Sequence, residues 1–366
     1  MVKFTIIFWG DTMSKFWNET IKNIEAYVPG EQPRDKKYIK LNTNENPYPP
    51  APAVIEAMKN AVNEDLKLYP DPICIDFVSA ICDLYNVNEN EVFVGNGSDE
   101  VLAFAFRAFF SREKKVMFPD ISYSFYPVYC DLFDVNYEEV PLDNEFNIPL
   151  KKMNNNNGGV ILPNPNAPTS KYIEVNKIKE LLEDNKDNVV IIDEAYIDFG
   201  GESMVKYIHD YPNLLVIQTL SKSRSLAGIR GGFAIGNSEL IEALNRVKNC
   251  FNSYTLDRVA LAGSTAAIND RTYYLENCNK VIKTREWAKK ELEQLGFKVM
   301  DSKANFLFVS HEILSGEYVY KTLKDNGVLV RHFNKPRIDD YLRITVGTDE
   351  EMKCLVNNLS KIIKNN

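Results

Sequence analysis

Residues 214–236 read Leu-Leu-Val-Ile-Gln-Thr-Leu-Ser-Lys-Ser-Arg-Ser-Leu-Ala-Gly-Ile-Arg-Gly-Gly-Phe-Ala-Ile-Gly. This stretch joins an apolar run to a polar loop and a second apolar run. The first run is typical of a strand that is buried on both faces. The loop holds Lys222 among hydroxyl side chains, and Arg230 follows eight residues later. A desolvated lysine has a lowered pKa and forms a Schiff base with a carbonyl, while an arginine neutralises a phosphate. Taken alone, the loop is about equally well explained by two solvated charges.

The composition limits the class of protein. A chain of 366 residues with 45% hydrophobic and 26% charged residues can bury a substantial core, and it has room for roughly two domains. The formal net charge of -8 argues against a general affinity for nucleic acid, which requires a basic surface. Anionic small molecules are still compatible ligands, because an acidic protein can contain a basic pocket.

Cysteine spacing and apolar segments bear on location. The six cysteines include no pair at the spacing of a zinc or redox motif, so we expect reduced thiols in a cytoplasmic protein. The three histidines lack metal-ligand spacing, and we predict no metal site. The apolar run Phe4–Trp9 is too short for a secretory signal or a membrane span. Met13 begins a stretch that reads like a natural start, so residues 1–12 are predicted to be an extension.

Residues 13–50 are predicted to form an N-terminal arm. Its two proline-rich segments, 27–33 and 41–50, cannot sustain a helix or a central strand. A simple linker would have the same composition. The three asparagines and one glutamate between prolines in the second segment favour instead a rigid display of polar groups across the rest of the molecule.

An anion site is predicted where the first strand of the next region, residues 51–270, ends. The apolar residues Val92–Val94 run into Gly95-Asn-Gly-Ser-Asp-Glu, and an apolar helical pattern follows. Amides in the first turn of a helix are unpaired and lie at the positive end of its dipole. The amides of Gly97, Ser98 and Asp99 therefore suit a phosphate. Serine and aspartate are also common helix N-caps, so the signal is weak by itself.

Strand and helix patterns alternate through residues 51–270. Such alternation implies right-handed crossovers and a largely parallel sheet, in which ligands bind beyond the carboxyl ends of the strands. Polar or aromatic residues follow several predicted strands. We expect them to share one rim: Gly97–Asp99, Tyr123, Asn166, Asp193, Tyr196 and Lys222.

Asp193 directly follows the apolar run Val189–Ile192, so its carboxylate is predicted to be buried at the edge of the sheet. A buried carboxylate is costly unless a cation faces it. Two cations fit this position. One is the protonated ring nitrogen of a cofactor, and the other is Lys222 in a plain salt bridge.

Residues 271–366 are predicted to form a smaller α+β domain that begins with a long helix, Tyr273–Leu295. Two arginines lie on its strand patterns. Solubility of an edge strand explains Arg331 about as well as ligand binding does. Arg343 lies in an apolar run, so an anionic partner is the better explanation for this residue.

Four motifs, in this order, resemble those of the fold-type-I pyridoxal-5′-phosphate aminotransferases: Asn96-Gly-Ser-Asp, Pro163-Asn-Pro-Asn-Ala-Pro-Thr, Asp193-Glu-Ala-Tyr, and Ser221-Lys with Arg230. Further motifs resemble the histidinol-phosphate aminotransferase group of that family: Tyr27-Val-Pro-Gly-Glu-Gln-Pro, Leu41-Asn-Thr-Asn-Glu-Asn-Pro, Leu68-Tyr-Pro-Asp and Leu342-Arg-Ile-Thr-Val-Gly-Thr. The resemblance implies an α/β fold. A mostly parallel-sheet large domain with helices on both faces would carry a smaller α+β C-terminal domain.

The resemblance also implies a role for each matching residue. Lys222 would form the covalent imine with pyridoxal phosphate and later move a proton, and Asp193 would pair with the pyridinium nitrogen. Asn166 and Tyr196 would hydrogen-bond the ring hydroxyl, and Tyr123 would stack on the ring. The remaining implied contacts to the cofactor phosphate are Gly97, Ser98, Asp99, Thr219, Ser221, Arg230 and, across a homodimer interface, Tyr69.

The implied activity is transamination between L-histidinol phosphate and 2-oxoglutarate by a ping-pong cycle, which gives imidazole acetol phosphate and L-glutamate in histidine biosynthesis. Arg331 and Arg343 would bind the substrate phosphate, and Arg343 would also receive the carboxylate of the second substrate. Tyr27, Asn42 and Asn305 are further candidates for this pocket. We expect neither nucleic acid nor a membrane as a partner.

Other activities stay open at this level. Threonine-phosphate decarboxylase shares nearly all of these motifs, and aromatic amino-acid transamination uses the same scaffold. A cofactor-binding regulator without turnover is less expected, because no DNA-binding domain is fused. The chain departs from the family pattern at Ser170, Arg224 and Tyr254. The departures at Ser170 and around Arg224 touch no group that the chemistry needs. The difference at Asn252-Ser-Tyr weakens a substrate-contact role for Tyr254, and the role of Arg224 is also undecided.

Overall fold

The computed structural model describes residues 14–25, 27, 29–154 and 158–364. The predicted extension, residues 1–12, lies outside the described residues. In the described part of the chain, no helix has the length and apolarity needed to cross a membrane.

Helices and strands alternate along most of the described chain. The α-helices are α1 (Glu19–Asn23), α2 (Pro52–Ala61), α3 (Ile75–Tyr85), α4 (Gly97–Phe109), α5 (Phe125–Phe133), α6 (Val175–Glu183), α7 (Ser238–Phe251), α8 (Arg258–Asn269), α9 (Tyr273–Gln294), α10 (Gly316–Asp325) and α11 (Asp349–Lys364). The strands are β1 (Ile39–Lys40), β2 (Val92–Asn96), β3 (Val116–Pro119), β4 (Tyr137–Val140), β5 (Gly159–Pro163), β6 (Val190–Asp193), β7 (Leu214–Thr219), β8 (Gly231–Gly236), β9 (Phe297–Val299), β10 (Phe306–His311), β11 (Val328–Leu329), β12 (Arg331–His332) and β13 (Tyr341–Thr345).

A seven-stranded sheet forms the centre of the larger part of the described molecule, in the order β2-β8-β7-β6-β5-β3-β4. β8 runs antiparallel to both of its neighbours, and the other paired strands run parallel. Continuous apolar runs account for this arrangement, because a strand covered on both faces has no solvent side that needs polar residues. The predicted α/β class with a mostly parallel sheet is confirmed.

Helices cover both faces of this sheet. Ile192 and Val216 belong to a core that includes residues of α2, α3, α6 and α8. Their sequence neighbours Ile191 and Leu215 belong to a second core with residues of α4, α5 and α7. Because side chains alternate along a strand, each central strand supplies apolar groups to both cores.

The C-terminal part is built on an antiparallel sheet in the order β12-β13-β10-β9. Residues of α9, α10 and α11 pack with this sheet in a separate core. The proposed boundary between residues 270 and 271 falls between α8 and α9.

The arm connects the two parts of the molecule. β1 pairs in parallel with β11. The amide of Thr345 on β13 then donates to the carbonyl of Leu41 at 2.9 Å. Further along, Asn46 Nδ2 donates to the carbonyl of Lys222 at 3.0 Å, so the arm reaches the loop between β7 and β8.

Candidate active site

Residues from the carboxyl ends of several strands, the start of α4 and the arm line one cavity. Its lining includes most of the residues predicted to bind a cofactor: Ser98, Asp99, Tyr123, Asp193, Tyr196, Thr219, Ser221, Lys222 and Arg230. Gly97 lies against Arg230, since a Cβ atom on Gly97 would be 2.7 Å from Arg230 Nη2. The cavity therefore lies where parallel sheets bind their ligands.

Lys222 lines this cavity from the loop that follows β7. Its Nζ donates a hydrogen bond to the carbonyl oxygen of Thr43 at 3.2 Å. Burial, and then repulsion from Arg343, lowers the pKa of Lys222 to about 8. A larger fraction of this amine is therefore unprotonated at neutral pH than for an exposed lysine, and the unprotonated amine is the nucleophile.

Asp193 ends β6, and its carboxylate is buried. The Tyr126 hydroxyl donates to Asp193 Oδ2 at 3.0 Å, and the Ala195 amide donates to Oδ1 at 3.2 Å. Burial raises the pKa of Asp193 to about 6. In the described part of the chain no salt bridge reaches this carboxylate, so the pairing with Lys222 that the sequence allowed is not formed. A buried carboxylate without a cation is a candidate partner for a cationic ligand.

The first turn of α4 provides an anion cradle. Gly97 has a φ of 80°, in the left-handed region that glycine favours. Gly232 of β8 allows the strand to pass close beneath this turn, because a Cβ atom there would lie 2.4 Å from the backbone of Gly97 and Ser98. The unpaired amides of a helix start, beside the guanidinium group of Arg230, can donate hydrogen bonds to an anion at this corner.

Asp99 orients two side chains at the same corner. Arg230 Nη2 donates to Asp99 Oδ2 at 2.7 Å, and the Tyr123 hydroxyl donates to Oδ1 at 2.6 Å. A carboxylate repels a phosphate, so the backbone amide of Asp99 rather than its side chain is the group that suits an anion. The side chain holds the guanidinium and the aromatic ring at the cavity wall.

The loop between β7 and β8 is held in an unusual conformation. Ser225 and Arg230 have φ values of 60° and 61°, which non-glycine residues adopt only where their surroundings hold them. The Thr219 hydroxyl accepts from the Ser221 amide at 3.1 Å and lies 3.0 Å from the Ser221 hydroxyl. Both hydroxyls line the cavity beside Lys222.

Arg224, whose role the sequence left undecided, anchors this loop from behind. Its Nη1 donates to the carbonyls of Ala267 and Asp270 at the end of α8, at 2.5 and 3.0 Å. Its guanidinium lies 3.3 Å from the centroid of the Tyr274 ring. A cation at a helix C-terminus is stabilising, so Arg224 fixes the loop two residues after Lys222 without lining the cavity.

Tyr196 and Asn166, both predicted to contact a cofactor ring, are placed differently. Tyr196 lines the cavity, and its hydroxyl accepts a hydrogen bond from Asn44 Nδ2 at 3.0 Å. Asn166 is buried outside the lining, and its Nδ2 donates to the Ile121 carbonyl and the Thr169 hydroxyl. Its Oδ1 has no hydrogen-bond partner among the described residues. Such a buried oxygen fits an incoming hydroxyl donor.

A second cavity adjoins the first. The two share Thr43, Tyr123, Ala167, Tyr196 and Lys222, so Lys222 lies at their junction. The other residues that line the second cavity are Tyr27, Gly30, Asn42, Asn44, Ser122, Ser124, Pro168, Arg331, Phe333 and Arg343.

The second cavity is basic. Arg331 and Arg343 lie opposite each other on β12 and β13. Neither makes a salt bridge to a carboxylate of the described chain. Arg343 Nη2 donates to the Asn42 carbonyl at 3.0 Å, while its buried Nε has no partner among the described residues. Burial, together with repulsion from Arg331, holds the pKa of Arg343 below its usual range. Two facing guanidinium groups without a counter-ion fit an anionic ligand.

Other predicted residues lie away from the cavity linings. Asn305 lines neither cavity, and its Nδ2 donates to the Asn44 carbonyl at 2.9 Å, which makes it a support for the arm. Tyr69 lies on the surface with 78% of its area exposed, and its ring stacks on Tyr254 at 4.7 Å. Tyr27 does line the second cavity, where its ring stacks on Phe125 at 4.2 Å.

Four consecutive arm residues at the site, 43–46, were not predicted from the sequence. Thr43, Asn44 and Glu45 line one cavity or both, and Asn46 binds the Lys222 carbonyl. Glu45 is held by Lys40 at 2.6 Å and by the Thr43 hydroxyl at 2.7 Å. The polar residues between the prolines of the arm indicate a role at the site, but of these residues only Asn42 was predicted to contribute to the substrate pocket.

This set of groups fits pyridoxal phosphate. The amine of Lys222, with its lowered pKa, suits the carbonyl of the cofactor, the carboxylate of Asp193 suits a cationic ring nitrogen, and the cradle at α4 suits the phosphate. The unpartnered Oδ1 of Asn166 suits a ring hydroxyl. The basic second cavity leaves room beside Lys222 for a further anion.

The comparisons with known proteins agree with this chemistry. The family described as aminotransferase class I and II matches residues 36–359. A histidinol-phosphate aminotransferase of Clostridium beijerinckii is 63% identical over 354 residues, which cover 97% of this chain and 99% of that protein. A histidinol-phosphate aminotransferase of Clostridium acetobutylicum is 58% identical over 351 residues, or 96% and 100% of the two chains.

A solved structure also matches. Histidinol-phosphate aminotransferase from Sinorhizobium meliloti in complex with pyridoxal-5′-phosphate superimposes with a TM-score of 0.85 at 21% identity, covering 97% of this chain and 99% of that one. The fold is that of the fold-type-I aminotransferases. With a family match over most of its length and relatives this similar, the chain belongs to the class I and II aminotransferases.

Proposed function

We propose that this chain uses pyridoxal phosphate to transfer the amino group of L-histidinol phosphate to 2-oxoglutarate, a step of histidine biosynthesis. The observation that carries the proposal is the pair of adjoining cavities that share Lys222, one containing an anion cradle and the other the facing arginines Arg331 and Arg343. Relatives named for this activity are 55–63% identical over nearly the whole chain, which supports the choice of substrate.

The cofactor, when bound, would supply an electrophilic carbonyl carbon and an electron-withdrawing ring. Lys222 Nζ would attach to that carbon. The amides of Ser98 and Asp99, with Arg230, would hold the phosphate. Asp193 would keep the ring nitrogen protonated, and the resulting cation would in turn lower the pKa of Asp193 from about 6. Each of these groups lines the same cavity.

Lys222 would also be the proton carrier. An amine that moves a proton to and from a substrate carbon works best with a pKa near the operating pH, and burial brings the pKa of Lys222 to about 8. The carbonyl of Thr43 accepts a hydrogen bond from Nζ and so directs the amine toward the arm side of the cavity.

The facing arginines would bind both substrates in turn. A phosphate on the amino donor and a carboxylate on the 2-oxo acid are both anions that guanidinium groups bind through paired hydrogen bonds. Of the two arginines, Arg343 is the one whose charge contributes to the lowered pKa of Lys222. Phe333 and Tyr27 supply the apolar and aromatic surface beside them.

We further propose that the protein functions as a homodimer. Near Tyr69, the apolar side chains of Val62, Leu66, Leu68 and Ile73 are each more than half exposed. A cluster of exposed apolar side chains of this kind is characteristic of a protein interface. Tyr69 from the partner subunit would then contribute to the cofactor phosphate site. The six cysteines are all free thiols, which fits the expected cytoplasmic location.

A panel of half-reactions tests the proposed substrate. Protein reconstituted with pyridoxal phosphate is mixed separately with L-histidinol phosphate, O-phospho-L-threonine and an aromatic amino acid, and the visible absorbance of the bound cofactor is followed. We expect L-histidinol phosphate to bleach that absorbance rapidly and to yield its keto product. Addition of 2-oxoglutarate should restore the absorbance and release glutamate.

Two outcomes would contradict the proposal. Carbon dioxide release from O-phospho-L-threonine, without glutamate formation from L-histidinol phosphate, would assign the decarboxylase activity instead. A Lys222→Ala protein that still completes the half-reaction would remove the lysine from the mechanism. Arg246→Ala, which alters an exposed arginine on α7, is the matched control and should behave like the wild type.

A further inference from the structure

Asn44 is a buried residue of the arm with a left-handed backbone conformation. It is 1% exposed, and its backbone has a φ of 56°, in the left-handed region. All four of its polar groups have partners in other parts of the fold. Its Nδ2 contacts Tyr196, its amide and Oδ1 contact Thr345, and its carbonyl accepts from Asn305. These four partners hold Asn44 in one orientation, in a left-handed conformation that asparagine adopts more readily than most residues.

The contact with Thr345 determines which way the Asn44 amide points. The Thr345 hydroxyl accepts from the Asn44 backbone amide at 2.9 Å and donates to Asn44 Oδ1 at 3.1 Å. If the amide were reversed, Nδ2 and the backbone amide would both donate to that hydroxyl, and the hydroxyl proton would have no acceptor in a buried site. The satisfied arrangement therefore directs the Asn44 NH2 group at Tyr196.

The direction of this hydrogen bond decides what Tyr196 can do. Because the Tyr196 hydroxyl oxygen accepts from Asn44 at 3.0 Å, its own proton stays available for the cavity that the ring lines. Burial raises the pKa of Tyr196, and both Arg343 and the hydrogen bond from Asn44 oppose part of that rise. Asn44 thus makes the phenol a better donor.

We propose that Asn44 is a positioning residue that orients the Tyr196 hydroxyl as a hydrogen-bond donor toward the ring oxygen of the cofactor, with Thr345 fixing the orientation of Asn44. The proposal rests on the proposed function, because it requires pyridoxal phosphate in the first cavity. Thr345 lies on β13 two residues after Arg343, so the same strand carries the anion-binding group and the support for Asn44.

Asn44→Asp is a sharp test of this role. Aspartate has nearly the same shape and tolerates the left-handed conformation. One carboxylate oxygen can still accept from Thr345, but the other must accept from Tyr196, so the tyrosine proton turns away from the cavity. A hydroxyl that donates to the ring oxygen stabilises negative charge there. We therefore expect the pH midpoint of the visible absorbance of the bound cofactor to rise by about one unit, or about tenfold in proton affinity.

A double-mutant cycle separates this effect from that of the added charge. Tyr196→Phe alone should raise the midpoint by at least as much as Asn44→Asp. In the Tyr196→Phe background, Asn44→Asp should add little further change. An equal shift by Asn44→Asp in both backgrounds would show that its charge acts without the tyrosine, and an unchanged midpoint would show that Asn44 orients nothing. Either result would overturn the proposal.

Two variants at Thr345 give an independent check without a new charge. Thr345→Ser keeps the hydroxyl and should retain the wild-type midpoint. Thr345→Val removes the hydroxyl that fixes the side-chain amide of Asn44, so it should move the midpoint in the same direction as Asn44→Asp. Equal midpoints for the two variants would contradict the role of Thr345. Thermal unfolding identifies any variant that fails to fold. Wild-type protein without any visible absorbance would count against the proposed function, not against the orientation of Tyr196.

Discussion

Burial and the charge of Arg343 are the two largest influences on the reactivity of Lys222, and they can be tested separately from catalysis. Burial and the charge of Arg343 lower its pKa to about 8. In cofactor-free protein, we expect the rate at which a small acylating reagent modifies Lys222 to rise with pH, with a midpoint near this value. Arg343→Gln removes the repulsion, so that midpoint should move to higher pH. Peptide mass spectrometry measures the extent of modification, with exposed Lys114 as the internal control. A midpoint that falls in Arg343→Gln would contradict this explanation.

Asp193 illustrates a conflict between stability and function. Burial raises its folded-state pKa from 3.8 to about 6, so the protonated form favours folding and the charged form opposes it. The contribution of Asp193 to stability is present below pH 3.8 and is lost as the pH rises through 6.

Asp193→Asn should therefore stabilise the cofactor-free protein at pH 8, by about 2 to 3 kcal/mol, and should have little effect near pH 4. The same change should lower kcat of the reconstituted enzyme at least about 100-fold, because the ring nitrogen loses its counter-ion. Urea unfolding at the two pH values measures the first effect. Equal stability of both proteins at pH 8 would show that the carboxylate is not strained by burial.

Residue types at strand ends were predictable, but their partners were not. Asp193 is recognisable because it directly follows an apolar run, and Lys222 because it lies among hydroxyl side chains with Arg230 eight residues later. Asn44 did not stand out, because its role depends on Tyr196, 152 residues away in the sequence. The free oxygen of Asn166 is likewise visible only once both donors of its amide have found acceptors.

At the scale of elements, the contact between β8 and the start of α4 is the tightest part of the anion cradle. Gly232→Ala would place a Cβ atom 2.4 Å from the Gly97 and Ser98 backbone, so helix or strand must shift. We expect a loss of about 1 to 3 kcal/mol in the free energy of unfolding and weaker binding of pyridoxal phosphate.

Gly228→Ala is the matched control for this change. Gly228 lies four residues earlier, in the loop that precedes β8, and no heavy atom lies within 4 Å of the added Cβ atom. Its free energy of unfolding should stay within about 0.5 kcal/mol of the wild type. Equal effects of the two substitutions on thermal unfolding and on cofactor binding would contradict the close-approach explanation.

Strands with continuous apolar runs are predictable from the sequence. Elements whose pairing depends on distant segments of the chain are not. β6 and β7 follow from their sequence alone. Val328–Arg331 reads as one uninterrupted strand pattern in the sequence, yet β11 pairs with the arm and β12 pairs with β13. A local pattern cannot reveal that change of partner. The sequences of α5 and α10 indicate these helices only weakly, because α5 has Pro127 in its first turn and α10 begins with Gly316.

At the scale of the whole molecule, the dimer proposal makes a distinctive prediction. Tyr69 is far too exposed to serve a site in its own chain, so its function would depend on a second subunit. Lys222→Ala subunits are inactive in this account, and Tyr69→Ala subunits bind the cofactor weakly. A hybrid dimer of the two would contain one site with both Lys222 and Tyr69 intact.

Hybrid dimers should therefore recover up to about half of the wild-type activity after the two variants are unfolded and refolded together. Sedimentation velocity confirms that the mixture is dimeric. If mixed dimers form but show only the residual activity of Tyr69→Ala, then Tyr69 acts within its own chain or not at all.

The general organisation of the molecule is predictable from the order of its motifs, whereas the path of the arm is not. The sequence predicts a polar and rigid arm. The path of the arm from β11 across β13 to the Lys222 loop depends on contacts between distant segments. Fold class follows from repeated local patterns. The shared wall of the two cavities follows from how those segments pack.

Reductive trapping measures most directly whether Lys222 is the centre of the site. Protein incubated with pyridoxal phosphate is reduced with borohydride, digested and examined by peptide mass spectrometry. We predict one stoichiometric modification, a phosphopyridoxyl group on Lys222, which pre-incubation with L-histidinol phosphate should prevent. A modification at another lysine, or none while the protein still transaminates, would contradict the assignment of the active site.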